Sequence, residues 1–147
     1  MANETIIYYG EGRRELLSRL FDKGIFGLSP SIANKDQAFF IASWGINAPE
    51  PYKKKDSSGW IRSDYIKFAE EKAIMSTPLL GTAETDEDVG RFAEYGEYKD
   101  YFEKCIEKGF QEIEKLVAEA SWDNNLLERR VLTSLDLLYT QYIENDI

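Results

Sequence analysis

Residues 97–120 read EYKDYFEKCIEKGFQEIEKLVAEA, and the spacing of their apolar members decides the fold. Phe102, Ile106, Gly109, Ile113, Leu116 and Ala120 recur at alternating intervals of four and three, which places them on one face of a 3.6-residue helix. Cys105, Phe110 and Val117 widen that stripe. The pattern predicts a long helix seated lengthwise on a core or against a second helix. Glu103 and Glu107 read as water-facing acids that repel slightly across one turn, within a mixed face completed by Lys104, Lys108, Glu112 and Lys115.

On its N-terminal side, Thr85 followed by Asp86, Glu87 and Asp88 is a helix start: a capping hydroxyl, then acids over the positive end of the dipole. Val89, Phe92 and Ala93 give that helix its apolar side, and a break is expected near Gly96. On the C-terminal side, residues 121–125 interrupt the long helix. A last helix then carries Leu126, Leu127, Val131, Leu132, Leu135, Leu138, Tyr139, Tyr142 and Ile143.

Further out, the segment 34–44 reads as a helix capped by Asn34 or Asp36, and its run of residues 38–42, AFFIA, is apolar nearly all round. Such a helix belongs at the centre of a core. Gly45 and Asn47 end it, and Pro49 and Pro51 forbid its continuation. Residues 11–23 form a first helix buried through Leu16, Leu17, Leu20 and Phe21, with Arg13, Arg14 and Arg19 off that face and Gly24 as its stop. A third helix is expected from a Ser63 or Asp64 cap through Met75, burying Ile66, Ala69, Ala73 and Ile74, with Pro78 and Gly81 closing the unit. Residues 5–9, TIIYY, suit a short edge strand, and residues 60–62 a short extended segment. The expected fold is mainly α: one compact domain over residues 1–147, with five or six helices and a short N-terminal strand.

Composition removes whole classes of chemistry. The 147 residues include no histidine and one cysteine, Cys105, so triad hydrolysis, Cys–His catalysis, HExxH zinc proteases and Cys/His zinc fingers are excluded. The bundle di-metal sites need Glu-x-x-His and fall with them. Asp86, Glu87 and Asp88 lack the ligand spacing of a calcium loop, and Gly10-Glu11-Gly12 lacks the lysine and length of a phosphate loop. Cys105, on the apolar stripe, reads as a buried inert thiol. No cofactor or metal is expected. There is neither a basic n-region with an apolar stretch behind it nor a run long enough to span a bilayer, so a cytoplasmic protein without membrane contact is the expectation.

The net charge of −9 is unevenly spread. Residues 1–83 hold 10 acids and 11 bases, residues 84–119 hold 12 and 5, and residues 120–147 hold 5 and 2. An acidic C-terminal half suits a protein partner with a basic surface and disfavours nucleic acid. The exception is residues 48–59, APEPYKKKDSSG, an exposed, mobile loop. Lys53, Lys54 and Lys55, with Arg62 nearby and Tyr52 and Trp60 flanking, combine cations with stacking surfaces. This set is either a solvated loop or a contact to a phosphate backbone or an acidic partner.

The order of segments over residues 13–116 carries a resemblance. It runs through RLFDKGIF (19–26), KDQAFFIASWGI (35–46), a Pro/Lys loop ending in Ile61-Arg62, and YKDYFEKCIEKGFQEIEKL (98–116). This resembles the small accessory proteins of bacterial DNA phosphorothioation (Dnd-type) modification and restriction systems, in which a Lys-Asp step opens an alanine-rich helix and a Phe-Glu…Gly segment opens the last one. Phe102, Glu103 and Gly109 match; the tyrosine-alanine step between them does not, and residues beyond about 120 have no counterpart. The resemblance implies a non-enzymatic phage-defence component that assembles with other proteins, and transfers no catalytic residue. The expected function is thus an adaptor working through protein–protein contacts, with homo-oligomerisation open. The alternative is a DNA-binding regulator using the Lys53–Lys55 loop; a hydrolase using carboxylates alone requires a buried Asp or Glu pair facing a pocket.

Overall fold

The striped segment forms one continuous helix, Tyr95–Glu119, in the computed structural model, which describes residues 6–21, 33–56, 59–62, 65–66, 68–120 and 123–146. In chain order the described elements are β1 (Ile6–Ile7), α1 (Arg13–Phe21), α2 (Asn34–Ser43), β2 (Ile61–Arg62), α3 (Ala69–Leu80), α4 (Asp86–Phe92), α5 (Tyr95–Glu119) and α6 (Asn124–Asp146). The chain is therefore mainly α, with six helices and one short two-stranded antiparallel sheet among the described residues. None of these helices is long and apolar enough to cross a membrane.

α5 is the spine. Phe102, Cys105, Ile106, Phe110, Ile113, Val117 and Ala120 are buried along it, as the spacing predicts. Each large apolar side chain removed from water there stabilises the fold by about 1.5–3 kcal/mol. α2 and α3 lie against α5, while α1 adds Leu16, Leu17, Leu20 and Phe21 to the same core. α2 is less enclosed than its composition suggests. It buries Gln37, Ala38, Ile41 and Ala42, whereas Phe39 and Phe40 are half-buried and set edge-on to Phe102 and Phe21 at centroid distances of 5.8 and 6.2 Å.

α2 and α5 meet backbone to backbone. A Cβ on Gly109 would lie 1.8 Å from the Ile41 carbonyl oxygen, and one on Gly45 would lie 1.9 Å from that of Cys105. Gly109 sits in the stripe because no larger residue fits the crossing, a contact that helical spacing alone does not reveal.

Several boundaries differ from expectation. α3 starts at Ala69, later than Ser63 or Asp64, which lie outside the described residues. The Phe68 N–H is satisfied by Glu71 Oε1 at 3.5 Å. Ile66, Met75 and Leu79 are buried, but Ala69, Ala73 and Ile74 are exposed, because α3 meets the core through the face that carries Met75 and Leu79. Pro78 lies within the last turn of α3 instead of ending it, and Gly81 caps the helix. The break before α5 falls at Ala93–Glu94, two residues short of Gly96. Thr85 caps α4 as read, accepting from the Asp88 N–H at 3.1 Å. Gly24, the expected stop of α1, lies outside the described residues, as does the expected strand's first residue, Thr5.

Candidate functional site

The Pro/Lys segment is exposed, as expected, but its backbone is held. β1 pairs with β2 in the register Ile6↔Arg62 and Ile7↔Ile61, and Gly10 bridges Lys55. The Trp60, Asp56 and Glu11 amides donate to the carbonyls of Ile7, Tyr9 and Lys54 at 2.9, 3.0 and 2.7 Å. The lysine run is thus one side of an antiparallel ladder, tied at its far end to α5 by the Glu50 N–H on the Lys104 carbonyl at 3.1 Å.

This ladder divides the expected contact residues. Lys53 and Lys54 border a cleft of about 370 Å³ together with Gly10, Arg13, Tyr52 and Gln111, but Glu11, Glu50 and Glu107 line it too. Lys54 pairs with Glu11 at 3.4 Å, and the Lys55 ammonium sits 4.1 Å from the centre of the Tyr8 ring. Trp60 and Arg62 border a separate cleft of about 400 Å³ with Asn34, Lys35 and Tyr65. Trp60 is half-buried, its indole packed on Tyr9 and Phe110 at 5.2 and 6.0 Å. The five residues therefore do not form a single basic patch.

Beneath the lysine ladder lies a group of buried charges that the sequence reading placed in water. Glu103, Glu107 and Lys99 are all buried on α5. Glu103 accepts the Tyr8 N–H at 2.6 Å and the Lys99 ammonium at 3.3 Å. Glu107 pairs with Arg13 at 2.7 Å, and Arg13 also reaches Glu114. Arg13 is thus no surface charge: its guanidinium stands 5.6 Å from the Phe110 ring centre. Burial raises the Glu103 carboxyl above its ordinary value, with the Tyr8 N–H and Lys99 opposing. Burial, then the nearby charges of Glu103 and Asp100, push the Tyr52 phenol up to about 12. The one available signal was Lys99 four residues before Glu103; the partners Tyr8 and Arg13 lie 95 and 94 positions away.

Both carboxylates are engaged by other groups. Glu107 lines the 370 Å³ cleft but is held by Arg13, and Glu103 is absent from that lining and occupied by Tyr8 and Lys99. Among the described residues no three His, Cys, Asp or Glu side chains are grouped to hold a metal ion. Cys105 is fully buried and its thiol is pushed up to about 11 by burial, so it stays protonated at neutral pH.

The apolar residues of α6 divide between core and surface. Leu127 and Val131 are buried near its start, but Leu132, Leu135, Leu137, Tyr139 and Ile143 are exposed, Tyr139 at 64% and Leu132 at 57%. Leu132, Leu135, Tyr139 and Ile143, at intervals of three, four and four, share one side of the helix. The side chains of Leu138 and Tyr142 lie outside the described set. Leu137 borders a further cleft of about 530 Å³ with Trp44, Lys108 and Leu116.

The residues carrying the Dnd-type resemblance are core residues. Phe102 is 2% exposed, Glu103 holds the Tyr8 amide just after β1, and Gly109 permits the α2 crossing. No family model, curated protein or solved structure matches the chain.

Proposed function

We propose that the chain is a non-enzymatic adaptor that engages a protein partner through the outer side of α6. One observation carries this reading: Leu132, Leu135, Tyr139 and Ile143 form a stripe on a single helix, each of them exposed among the described residues. Single exposed apolar side chains are ordinary on any protein surface. A contiguous stripe at helical spacing is characteristic of an interaction site, and an amphipathic helix seated in a groove is a common mode.

The charge around the stripe supports a particular partner chemistry. After Arg130 the chain contains Asp136, Glu144 and Asp146 and no Lys or Arg. A partner with an apolar groove rimmed by Lys or Arg complements such a helix, whereas an acidic rim repels it. The Dnd-type resemblance suggests where to seek that partner, among the components of a phosphorothioation modification or restriction system.

Co-purification tests the reading. The full chain should retain a stoichiometric partner at moderate salt, and the L135D/Y139D variant should lose it while keeping the wild-type circular dichroism melt. K53E/K54E should retain it. Equal retention by L135D/Y139D, or no partner for the wild type, contradicts the proposal.

A further inference from the structure

We infer that the surface around Trp60 is a groove for a nucleotide, either free or within a single strand, separate from both the lysine ladder and α6. Two clefts adjoin there. The first, about 400 Å³, is bordered by Asn34, Lys35, Trp60, Arg62 and Tyr65. The second, about 310 Å³, is bordered by Arg14, Ser18, Asn34, Gln37 and Trp60. Asn34 and Trp60 belong to both, so the two basins adjoin at these side chains. Each lies at the lower end of the ~300–1,000 Å³ typical of small-ligand clefts.

Their lining is unusual for this molecule. In a chain of net charge −9, neither cleft is lined by an Asp or Glu among the described residues, while Arg14, Lys35 and Arg62 all border them. The cleft under Lys53 and Lys54, by contrast, is lined by Glu11, Glu50 and Glu107. Two of these cations have described partners. Lys35 pairs with Glu71 at 2.7 Å, and Arg14 donates to the Tyr9 hydroxyl at 3.1 Å and lies within the field of Asp56. A guanidinium has five N–H donors, so one such bond leaves others for phosphate oxygens.

The aromatic component is also present. Trp60 is fixed from within by Tyr9 and Phe110, and Tyr65 is 60% exposed at the edge of the first basin. Cations beside aromatic rings, with no acid among the described lining residues, are what a base and its phosphate require. The rings accept any base face, and the guanidinium groups take the anion. Duplex DNA offers no unstacked base to these rings, which favours a free nucleotide or a single strand.

The test is fluorescence anisotropy of a short fluorescein-labelled oligothymidylate with the full chain at low salt, with AMP as competitor. The inference predicts saturable binding. Arg62→Ala and Tyr65→Ala, both exposed positions, should each weaken it at least about fivefold, the lower end of a lost base stack. Arg62→Ala should also reduce the salt slope by about 0.7, a readout that loss of shape alone would not move. Lys53→Ala should stay within about twofold. Displacement by AMP identifies a free-nucleotide site, and binding of the strand without displacement identifies a single-strand site; both support the inference. Absence of binding by either probe, indifference to both substitutions, or equal weakening by Lys53→Ala overturns it.

Discussion

Arg13 and Glu107 meet at 2.7 Å although 94 positions separate them, and the pair joins the first turn of α1 to the middle of α5. Both side chains are largely shielded, at 17% and 9% exposure, so removing one leaves the other charge poorly solvated. Breaking a buried pair costs about 3–5 kcal/mol, and the residual exposure here lowers the expectation to about 2–3 kcal/mol for Arg13→Ala. Urea unfolding measures it, and the double variant R13M/E107L should recover part of the loss. A cost no larger than that of a surface pair would refute the assignment.

The pH response of Glu103 has a defined sign. Its folded value is raised above 4.5 by burial, so the folded state holds a proton more tightly than the unfolded chain. Its contribution is most favourable below the unfolded value and diminishes as pH rises through the folded one. E103Q lacks this loss, so its stability relative to the wild type should rise between about pH 4 and pH 7. Urea melts across that range check it; a wild type that gains on E103Q with rising pH has the opposite linkage. Glu112, lowered by Lys108 and Lys115, works the other way: its support is present above 4.5 and lost as pH falls through its folded value.

Two glycine substitutions should move in opposite directions. Gly109→Ala places a methyl 1.8 Å from the Ile41 carbonyl oxygen, where only separation of α2 from α5 gives relief, so a loss of at least about 3 kcal/mol is expected. Gly90→Ala on α4 meets nothing within 4 Å and should gain about 0.5–1 kcal/mol through helix propensity. Thermal melts of the two variants suffice, and a tolerated Gly109→Ala would contradict the backbone contact.

How much of this was legible follows from how far each signal reaches along the chain. α5 was readable because its stripe repeats over about five turns, and the Thr85 cap because its bond spans three residues. Buried Glu103 and Glu107 were not, since what makes burial tolerable is the Tyr8 backbone and Arg13 from the other end of the sequence. The same holds for Lys53–Lys55 and Trp60–Arg62: adjacency suggested one patch, but the ladder to β1 directs them to separate clefts. On α6 the apolar residues were legible, while which of them the core would take, Leu127 and Val131, was not. Periodicity identifies an apolar face without saying whether the same chain covers it.

The adaptor reading is tested most directly by site-specific photocrosslinking in the protein's native setting. The account predicts that a benzophenone side chain at position 135, on the α6 stripe, yields one dominant adduct with a different protein whose contact surface carries Lys and Arg. The same group at position 74, an exposed apolar site on α3, should yield none. Adducts of equal strength from both positions, or an adduct at 135 with a second copy of this chain alone, would contradict it.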